Sequence, residues 1–112
     1  MLHQNIVLAG DIGGTKTWLR LSRGGAVLRE QRYDSAAFSG LEAMLADFLG
    51  DAKPAGACFG VAGPVQGRMA KITNLPWHVD ADAIAAQFAL PAVALINDFQ
   101  AVAYGIEALG ER

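Results

Sequence analysis

Short apolar runs separated by turn residues dominate the first third of the chain. The run from Asn5 to Gly10 is apolar enough for a buried strand, and Thr17 to Ser22 alternates apolar and polar positions as a half-buried strand does. Gly24-Gly25 then signals a tight hairpin turn, and Ala26 to about Tyr33 reads as a third strand. The pattern therefore predicts an antiparallel meander of three strands.

Helical and strand patterns alternate through the rest of the chain. Apolar residues at helical spacing predict two helices. The first runs from Gly40 to Gly50 after an N-cap at Ser39, and the second, capped by Asp80 or Asp82 and ended by Pro91, has its apolar positions at Ala81, Ile84, Ala85 and Phe88. Short apolar runs predict buried strands at Ala57 to Ala62 and Ala92 to Ile96, with a hairpin at Val65 to Ile72, a loop at Thr73 to Trp77 and a last helix from about Phe99 to Leu109. This order predicts an α/β fold in which a mixed sheet joins the meander to parallel strands and carries helices on both faces.

The composition adds one constraint. The chain has 112 residues, of which 53% are hydrophobic and 18% charged. That length suits one domain, and the apolar share indicates either a sheet covered on both faces or a surface that something else normally covers. Such a surface would favour a homo-oligomer. No membrane partner is expected, because every apolar run ends before the roughly 18–20 residues of a spanning helix.

Charge and cysteine content narrow the partners and the compartment. The net charge is −2 and the basic residues are scattered, which argues against a nucleic-acid partner. The single cysteine, Cys58, cannot form an internal disulfide, and the N-terminus lacks the pattern of a signal peptide. Both features favour the cytoplasm. His3 and His78 lack partners at metal-ligand spacing, so no zinc site is predicted.

The segment GDIGGTKT, residues 10–17, carries the strongest chemical signal. Its glycines allow backbone amides to approach an oxyanion, while Thr15, Lys16 and Thr17 offer further donors. Asp11 would repel a bare phosphate, so its presence favours a phosphate carrying Mg²⁺, which this carboxylate would hold directly or through water. The same residues also suit an ordinary tight turn between two strands, and both interpretations stay open at this point.

Asn97-Asp98 follows a predicted buried strand, at the end where open α/β sheets bind ligands. Asp98 is able to accept the proton of a substrate hydroxyl, and Asn97 is able to orient another hydroxyl. An alternative role for Asp98 is to cap the helix predicted to follow it. The two roles are compatible.

Two further segments carry weaker signals. The small residues from Gly60 to Val65 suit either a backbone wall of a ligand pocket or a plain turn. Thr73-Asn74 offers hydroxyl and amide groups suited to a sugar, and equally to an Asx turn. Trp77 could stack on a sugar ring, but a position in the core is the expectation.

Together these segments resemble the N-terminal domain of bacterial-type glucokinases, in the hexokinase and actin-like ATPase superfamily with a ribonuclease H-like fold. The resemblance spans nearly the whole chain: GDIGGTKT at 10–17, GVAGPV at 60–65, ITNLPW at 72–77 and INDFQAVAYG at 96–105. Related sugar kinases of the repressor type share DIGGTK but commonly continue NDAN. Phe99-Gln100 therefore favours the glucokinase branch.

The resemblance implies a function and a set of site residues. The reaction would be ATP-dependent phosphorylation of D-glucose to glucose 6-phosphate, with ATP and Mg²⁺ as cofactors. Asp98 would be the catalytic base, Asn74, Asn97 and Asp98 would bind the sugar, and Asp11 would hold Mg²⁺ through water. The ATP phosphates would contact Gly10, Asp11, Ile12, Gly13, Gly14 and Thr15.

The resemblance also implies a second, C-terminal domain that these residues do not include. We therefore expect residues 1–112 to be the small N-terminal domain of a glucokinase-like sugar kinase, inactive when alone. Two alternatives remain: a kinase for another hexose or an amino sugar, and a non-catalytic domain that binds sugar or nucleotide.

Overall fold

A computed structural model describes residues 5–97 of the chain. It begins with three antiparallel strands, β1 (Ile6–Ile12), β2 (Lys16–Arg23) and β3 (Ala26–Asp34). The predicted meander is therefore confirmed.

The later elements follow the predicted order, except that a short strand at His78–Asp80 was not predicted. They are helix α1 (Leu41–Leu49), strand β4 (Gly56–Val61), the short strands β5 (Val65–Gln66), β6 (Met69–Lys71) and β7 (His78–Asp80), helix α2 (Ala81–Phe88) and strand β8 (Val93–Asn97). The main sheet has the order β3-β2-β1-β4-β8, in which β4 pairs in parallel with both β1 and β8. Strands β5, β6 and β7 form a small antiparallel sheet. The predicted α/β class with a mixed sheet is confirmed.

The buried strand residues share one face of the main sheet. Leu8 lies opposite Leu21 and Ala57, and two residues further along β1, Gly10 lies opposite Leu19 and Phe59. The buried side chains of both helices belong to the same core. The helix predicted from about Phe99 to Leu109, and with it the predicted cover of the second face, lies outside the described residues.

The second face is partly exposed among the described residues. Trp18 lies there, with the guanidinium carbons of Arg20 and Arg32 at 4.9 and 5.2 Å from its ring centre. Cys58 is half-buried on this face, in a strand as predicted, and burial raises the pKa of its thiol. No helix within residues 5–97 is both long and apolar enough to cross a membrane.

Two local predictions need correction. Strand β1 continues two residues beyond Gly10, because its central position lets Ile12 pair with both Thr17 and Val61. Ser39 does not cap α1: the N-cap is Gly40, without a side-chain hydrogen bond. The cap of α2 is Asp80, whose Oδ1 accepts from the backbone N–H groups of residues 82 and 83 at 3.0 and 3.1 Å.

A bulge between Leu21 and Ser22 shifts the register of β2 against β3 by one residue. As a result Tyr33 pairs with Thr17 and enters the core, where its ring packs edge-on against Phe38 and Phe48. Its hydroxyl donates to Asp47 at 2.8 Å. Burial, together with that hydrogen bond to a carboxylate, raises the pKa of Tyr33 to about 12.

Phe59→Ala should cost about 3–5 kcal/mol of the free energy of unfolding, because this fully buried ring fills the space over Gly10 and its removal leaves a cavity in the core. Urea unfolding of the chain measures the loss. Val27→Ala is the control: this side chain is 50% exposed, so its truncation should change stability by less than about 0.5 kcal/mol. Equal losses for the two variants would contradict the placement of the core.

Candidate functional site

The carboxyl ends of β1, β4 and β8 meet at one edge of the main sheet. Ile12 lies opposite Val61, and Val61 lies opposite Asn97. Two backbone hydrogen bonds connect the segments that follow: the N–H of Ala62 donates to the carbonyl of Ile12, and the N–H of Thr73 to the carbonyl of Ala62, both at 2.9 Å. The predicted phosphate and sugar segments are thus joined through the backbone.

The turn between β1 and β2, residues 13–15, is held from one side. Ser35 donates its hydroxyl to the carbonyl of Gly13 at 2.6 Å and its backbone N–H to the carbonyl of Thr15 at 2.9 Å. A trans peptide points its N–H opposite to its carbonyl, so the N–H of Gly14 points away from Ser35. We refer to residues 13–15 as the glycine loop.

The glycine loop lies directly against the segment that carries Asn74. A Cβ added to Gly14 would lie 2.5 Å from the carbonyl oxygen of Thr73 and 3.5 Å from the Cβ of Asn74. Asn74 is exposed and adopts a left-handed backbone conformation, with φ of 69°, that asparagine tolerates well. The structure therefore brings one predicted sugar ligand beside the predicted phosphate loop.

Asn97 reaches the same edge from β8. Its Nδ2 donates to the carbonyl of Gly63 at 3.0 Å, which fixes the orientation of its amide. Gly63 has no room for a side chain, since an added Cβ would lie 1.8 Å from the carbonyl oxygen of Lys71. Asp98, the predicted base, follows Asn97 in the chain but lies outside the described residues.

A cavity of about 560 Å³ opens beside this edge. It is lined by Pro64 and residues 71–76, so Asn74 and Thr73 contribute polar groups to a mainly apolar wall. Ligand pockets for small molecules commonly have this size and this mixture of surfaces. The cavity therefore has room for a small ligand, and two of its lining residues, Thr73 and Asn74, lie against the glycine loop.

The other residues predicted to bind phosphate or metal lie within β1 itself. Gly10 and Ile12 are buried on the core face, and a Cβ at Gly10 would come within 2.7 Å of the Phe59 ring. The structure thus gives Gly10 a packing role, and contact of either residue with ATP stays a prediction.

Asp11 is half-buried on the opposite face, two residues before the glycine loop. A carboxylate is a ligand type that Mg²⁺ prefers, so the residue fits the predicted ion, although residues 5–97 contain no group of three or more potential metal-ligating side chains.

Three side chains near the site have partners within the protein. The prediction that Thr17 donates to a ligand is wrong, because this residue is fully buried and its hydroxyl bonds to Ser35 at 2.8 Å. The Nζ of Lys16 lies 2.6 Å from a carboxylate oxygen of Asp34 at the surface. Trp77 is 3% exposed and its indole N–H donates to the backbone carbonyl of residue 38, which confirms the expected core position.

Sequence reasoning missed Ser35. It lies in a short polar and alanine-rich stretch just after β3, where no periodicity marks it. The register of the hairpin places Ser35, because Lys16 pairs with Asp34 and the next residue must therefore lie near the glycine loop. No signal in the sequence gives that register, because a bulge leaves one extra residue of β3, Leu28, between the partners of Leu21 and Ser22.

Comparison with known proteins identifies the family. The family model for glucokinase matches residues 8–112, which is nearly the whole chain. This chain belongs to the glucokinase family. The glucokinases of Nostoc sp. and Synechocystis sp. are 44% and 46% identical to it over 96% and 92% of its length. In each case the match covers 34% of the relative, so the chain spans about a third of the length of these glucokinases.

Solved structures agree with the family assignment. The crystal structure of a glucokinase from an Antarctic psychrotroph matches 89% of this chain with a TM-score of 0.79 at 29% identity. The glucokinase of Balamuthia mandrillaris, solved in complex with glucose, matches 95% with a TM-score of 0.67, and at 24% identity this second likeness concerns the fold alone. The matched regions are 34% and 33% of those chains. The fold is thus the actin-like fold of sugar kinases, as the sequence resemblance implied.

Gly14→Ala should lower the free energy of unfolding by about 1–3 kcal/mol and shift the amide resonances of residues 73 and 74, because the added methyl group would overlap the Thr73 carbonyl. Urea unfolding and two-dimensional NMR measure the two effects. Gly40→Ala is the matched control, since a Cβ there meets nothing nearer than 3.4 Å, at the flexible end of Glu42. If residues 73 and 74 do not respond to Gly14→Ala, the contact between the two segments is wrong.

Proposed function

We propose that this chain is the N-terminal domain of a longer cytoplasmic enzyme that transfers the γ-phosphoryl group of ATP to the 6-hydroxyl of D-glucose. The products would be ADP, glucose 6-phosphate and a proton. One observation carries the proposal: in a chain of the glucokinase family, the glycine loop, Asn74 and Asn97 come together at the carboxyl edge of the sheet.

The glycine loop would bind the phosphates of ATP. The N–H of Gly14 points away from Ser35, and Thr15 is exposed. Fixed backbone dipoles of this kind stabilise charge on a transferring phosphoryl group without having to reorganise. Mg²⁺ near Asp11, when bound, would neutralise further charge on the phosphate oxygens.

The sugar would bind on the other side of the loop. Asn74 is exposed and lines the cavity, and the amide of Asn97 is oriented by its bond to Gly63. Asp98 would accept the proton of the 6-hydroxyl as its oxygen attacks the γ-phosphorus. This role rests on the resemblance of the segment around Asp98 and on its position directly after Asn97.

The remaining two thirds of the enzyme would supply the second wall of the active site. Closure of two domains around the substrates excludes water, which otherwise competes with the sugar for the phosphoryl group. The 112 residues contain one of those walls. Catalysis by this chain alone should therefore be negligible.

Activity assays on the extended and the short proteins test the proposal. The chain extended through its natural continuation should form ADP in the presence of glucose and Mg²⁺, and the 112-residue chain should stay at the background rate. A coupled assay with glucose, mannose, fructose and N-acetylglucosamine measures both expectations. Preference for another sugar would overturn the glucose assignment, and absence of any sugar-dependent ADP formation would overturn the kinase assignment. Robust activity of the short chain would show that the second wall is unnecessary.

Asp98→Asn in the extended protein should lower kcat by about 10²–10⁴-fold, the usual contribution of a general base, and leave the dissociation constant of glucose nearly unchanged. Steady-state kinetics and calorimetric titration with glucose measure the two quantities. Asp82→Asn is the control: it removes a carboxylate whose side chain is 73% exposed and pairs with Arg68 at the surface, so kcat should hold. Retained turnover in the Asp98 variant would show that another group takes the proton.

A further inference from the structure

Two small hydroxyl side chains are fully buried beneath the glycine loop. Thr17 and Ser35 each have 0% exposure. Within residues 5–97 they are the buried polar residues, apart from the aromatic residues Tyr33 and Trp77 of the core. They come from β2 and from the turn after β3, and their hydroxyl oxygens are 2.8 Å apart. A buried polar group is retained where its hydrogen bonds are satisfied, so their partners indicate what they do.

The direction of each hydrogen bond follows from the number of protons. Ser35 Oγ lies 2.6 Å from the carbonyl oxygen of Gly13, which can only accept, so the one hydroxyl proton of Ser35 is used there. Thr17 must then be the donor in the bond between the two hydroxyls. The chain of donation runs from Thr17 to Ser35 to Gly13, and we call it the Ser35 network.

Ser35 holds two peptide planes of the glycine loop, one through the Ser35 network and one through its backbone. The hydroxyl of Ser35 holds the carbonyl of Gly13, and its backbone N–H holds the carbonyl of Thr15 at 2.9 Å. Because each trans peptide points its N–H opposite to its carbonyl, the amides of Gly14 and Lys16 are both directed away from Ser35. The N–H of Gly13 also donates to the carbonyl of Lys16 at 3.1 Å, which closes the turn. Because glycine is conformationally permissive, the peptide plane between residues 13 and 14 would sample more orientations without the bond from the Ser35 hydroxyl.

We propose that Ser35 is a positioning residue for nucleotide binding, which holds the glycine loop in the orientation that presents its amides to the phosphates of ATP. This inference rests on the proposed kinase function. Ser35 does not itself touch the nucleotide, because it is fully buried behind the loop. Its effect is on the fraction of molecules whose loop is ready to bind, and apparent affinity falls in proportion to that fraction.

Ser35→Ala in the extended enzyme should raise KM for MgATP by about tenfold, the most that loss of one neutral hydrogen bond ordinarily changes a binding constant, and leave KM for glucose within about twofold. Thr17→Val keeps the bond from Ser35 to Gly13 but removes the donor that orients Ser35. Its KM for MgATP should rise by a smaller factor, about threefold. Tyr33→Phe is the matched control. Tyr33 lies two residues before Ser35, and its hydroxyl bonds to Asp47 and not to the glycine loop. This variant should leave KM for MgATP unchanged.

A second measurement is independent of activity. In the 112-residue chain, the order parameter of the Gly14 amide from ¹⁵N relaxation should fall from about 0.85 to below about 0.6 in the Ser35→Ala variant, while Tyr33→Phe leaves it unchanged. An unaltered Gly14 amide would overturn the inference, whatever the kinetics show.

The outcomes separate this inference from the function on which it rests. An unmodified extended protein with no sugar-dependent ADP formation would refute the kinase proposal, and the relaxation experiment would still decide whether Ser35 holds the loop. An active enzyme whose Ser35→Ala variant has the KM for MgATP of the Tyr33→Phe control would refute the positioning role. Equal rises in KM for both substrates would indicate general damage and would also refute it. If Ser35→Ala does not fold, the Thr17→Val variant decides by the same comparison.

Discussion

Close packing at Gly10 is the constraint on which the rest of the structure depends. This residue lies at the centre of the main sheet with β2 on one side and β4 on the other, and the rings and methyl groups of Phe59 and Leu19 occupy the space that a side chain would need. The contact determines which face of three strands is buried. Because side chains alternate along a strand, it also determines that Ile12, Val61 and Asn97 lie on that face at the end of the sheet.

The site is an extension of that packed sheet. From the strand ends, backbone hydrogen bonds join Ile12 to Ala62 and Ala62 to Thr73, so the segments that carry the predicted ligands are fixed relative to the core. Gly14 and Gly63 are required at two close approaches between segments, because an added Cβ at either position would overlap a carbonyl oxygen. Such an arrangement places the glycine loop, for which we propose ligand binding, on a rigid support, which is how binding sites are commonly built.

Most of the fold could be predicted from the sequence, because periodicity reports directly on burial. Both described helices and the alternating strand β2 were found in this way, and the motifs located the segments of the site. The errors have a common cause in tertiary context. Strand β1 extends through Asp11 because neighbours pair with it on both sides, although aspartate and glycine disfavour strands. Gly40 replaces the better capping residue Ser39.

The role of Ser35 could not be predicted, for a more specific reason. A regular hairpin closed at Gly24-Gly25 would pair Thr17 with residue 32, and the bulge at Ser22 moves the pairing to Tyr33. That shift of one residue exchanges the two faces of β3 beyond the bulge, which brings Tyr33 into the core and Ser35 beneath the loop. Nothing in the local sequence marks the bulge. The position of Asp98 rests on motif and chain order alone.

The bond between Asn97 and Gly63 has a consequence for how the protein is made. The two residues are 34 positions apart, and Asn97 belongs to the strand that completes this part of the sheet. During synthesis the meander of β1 to β3 can pair as soon as it leaves the ribosome, because its contacts are local. The binding edge cannot assemble until β8 has emerged and joined β4. A nascent chain can therefore pair the strands of its meander before it has the edge at which we propose that ligands bind, and a ligand could assist only a later stage of its folding.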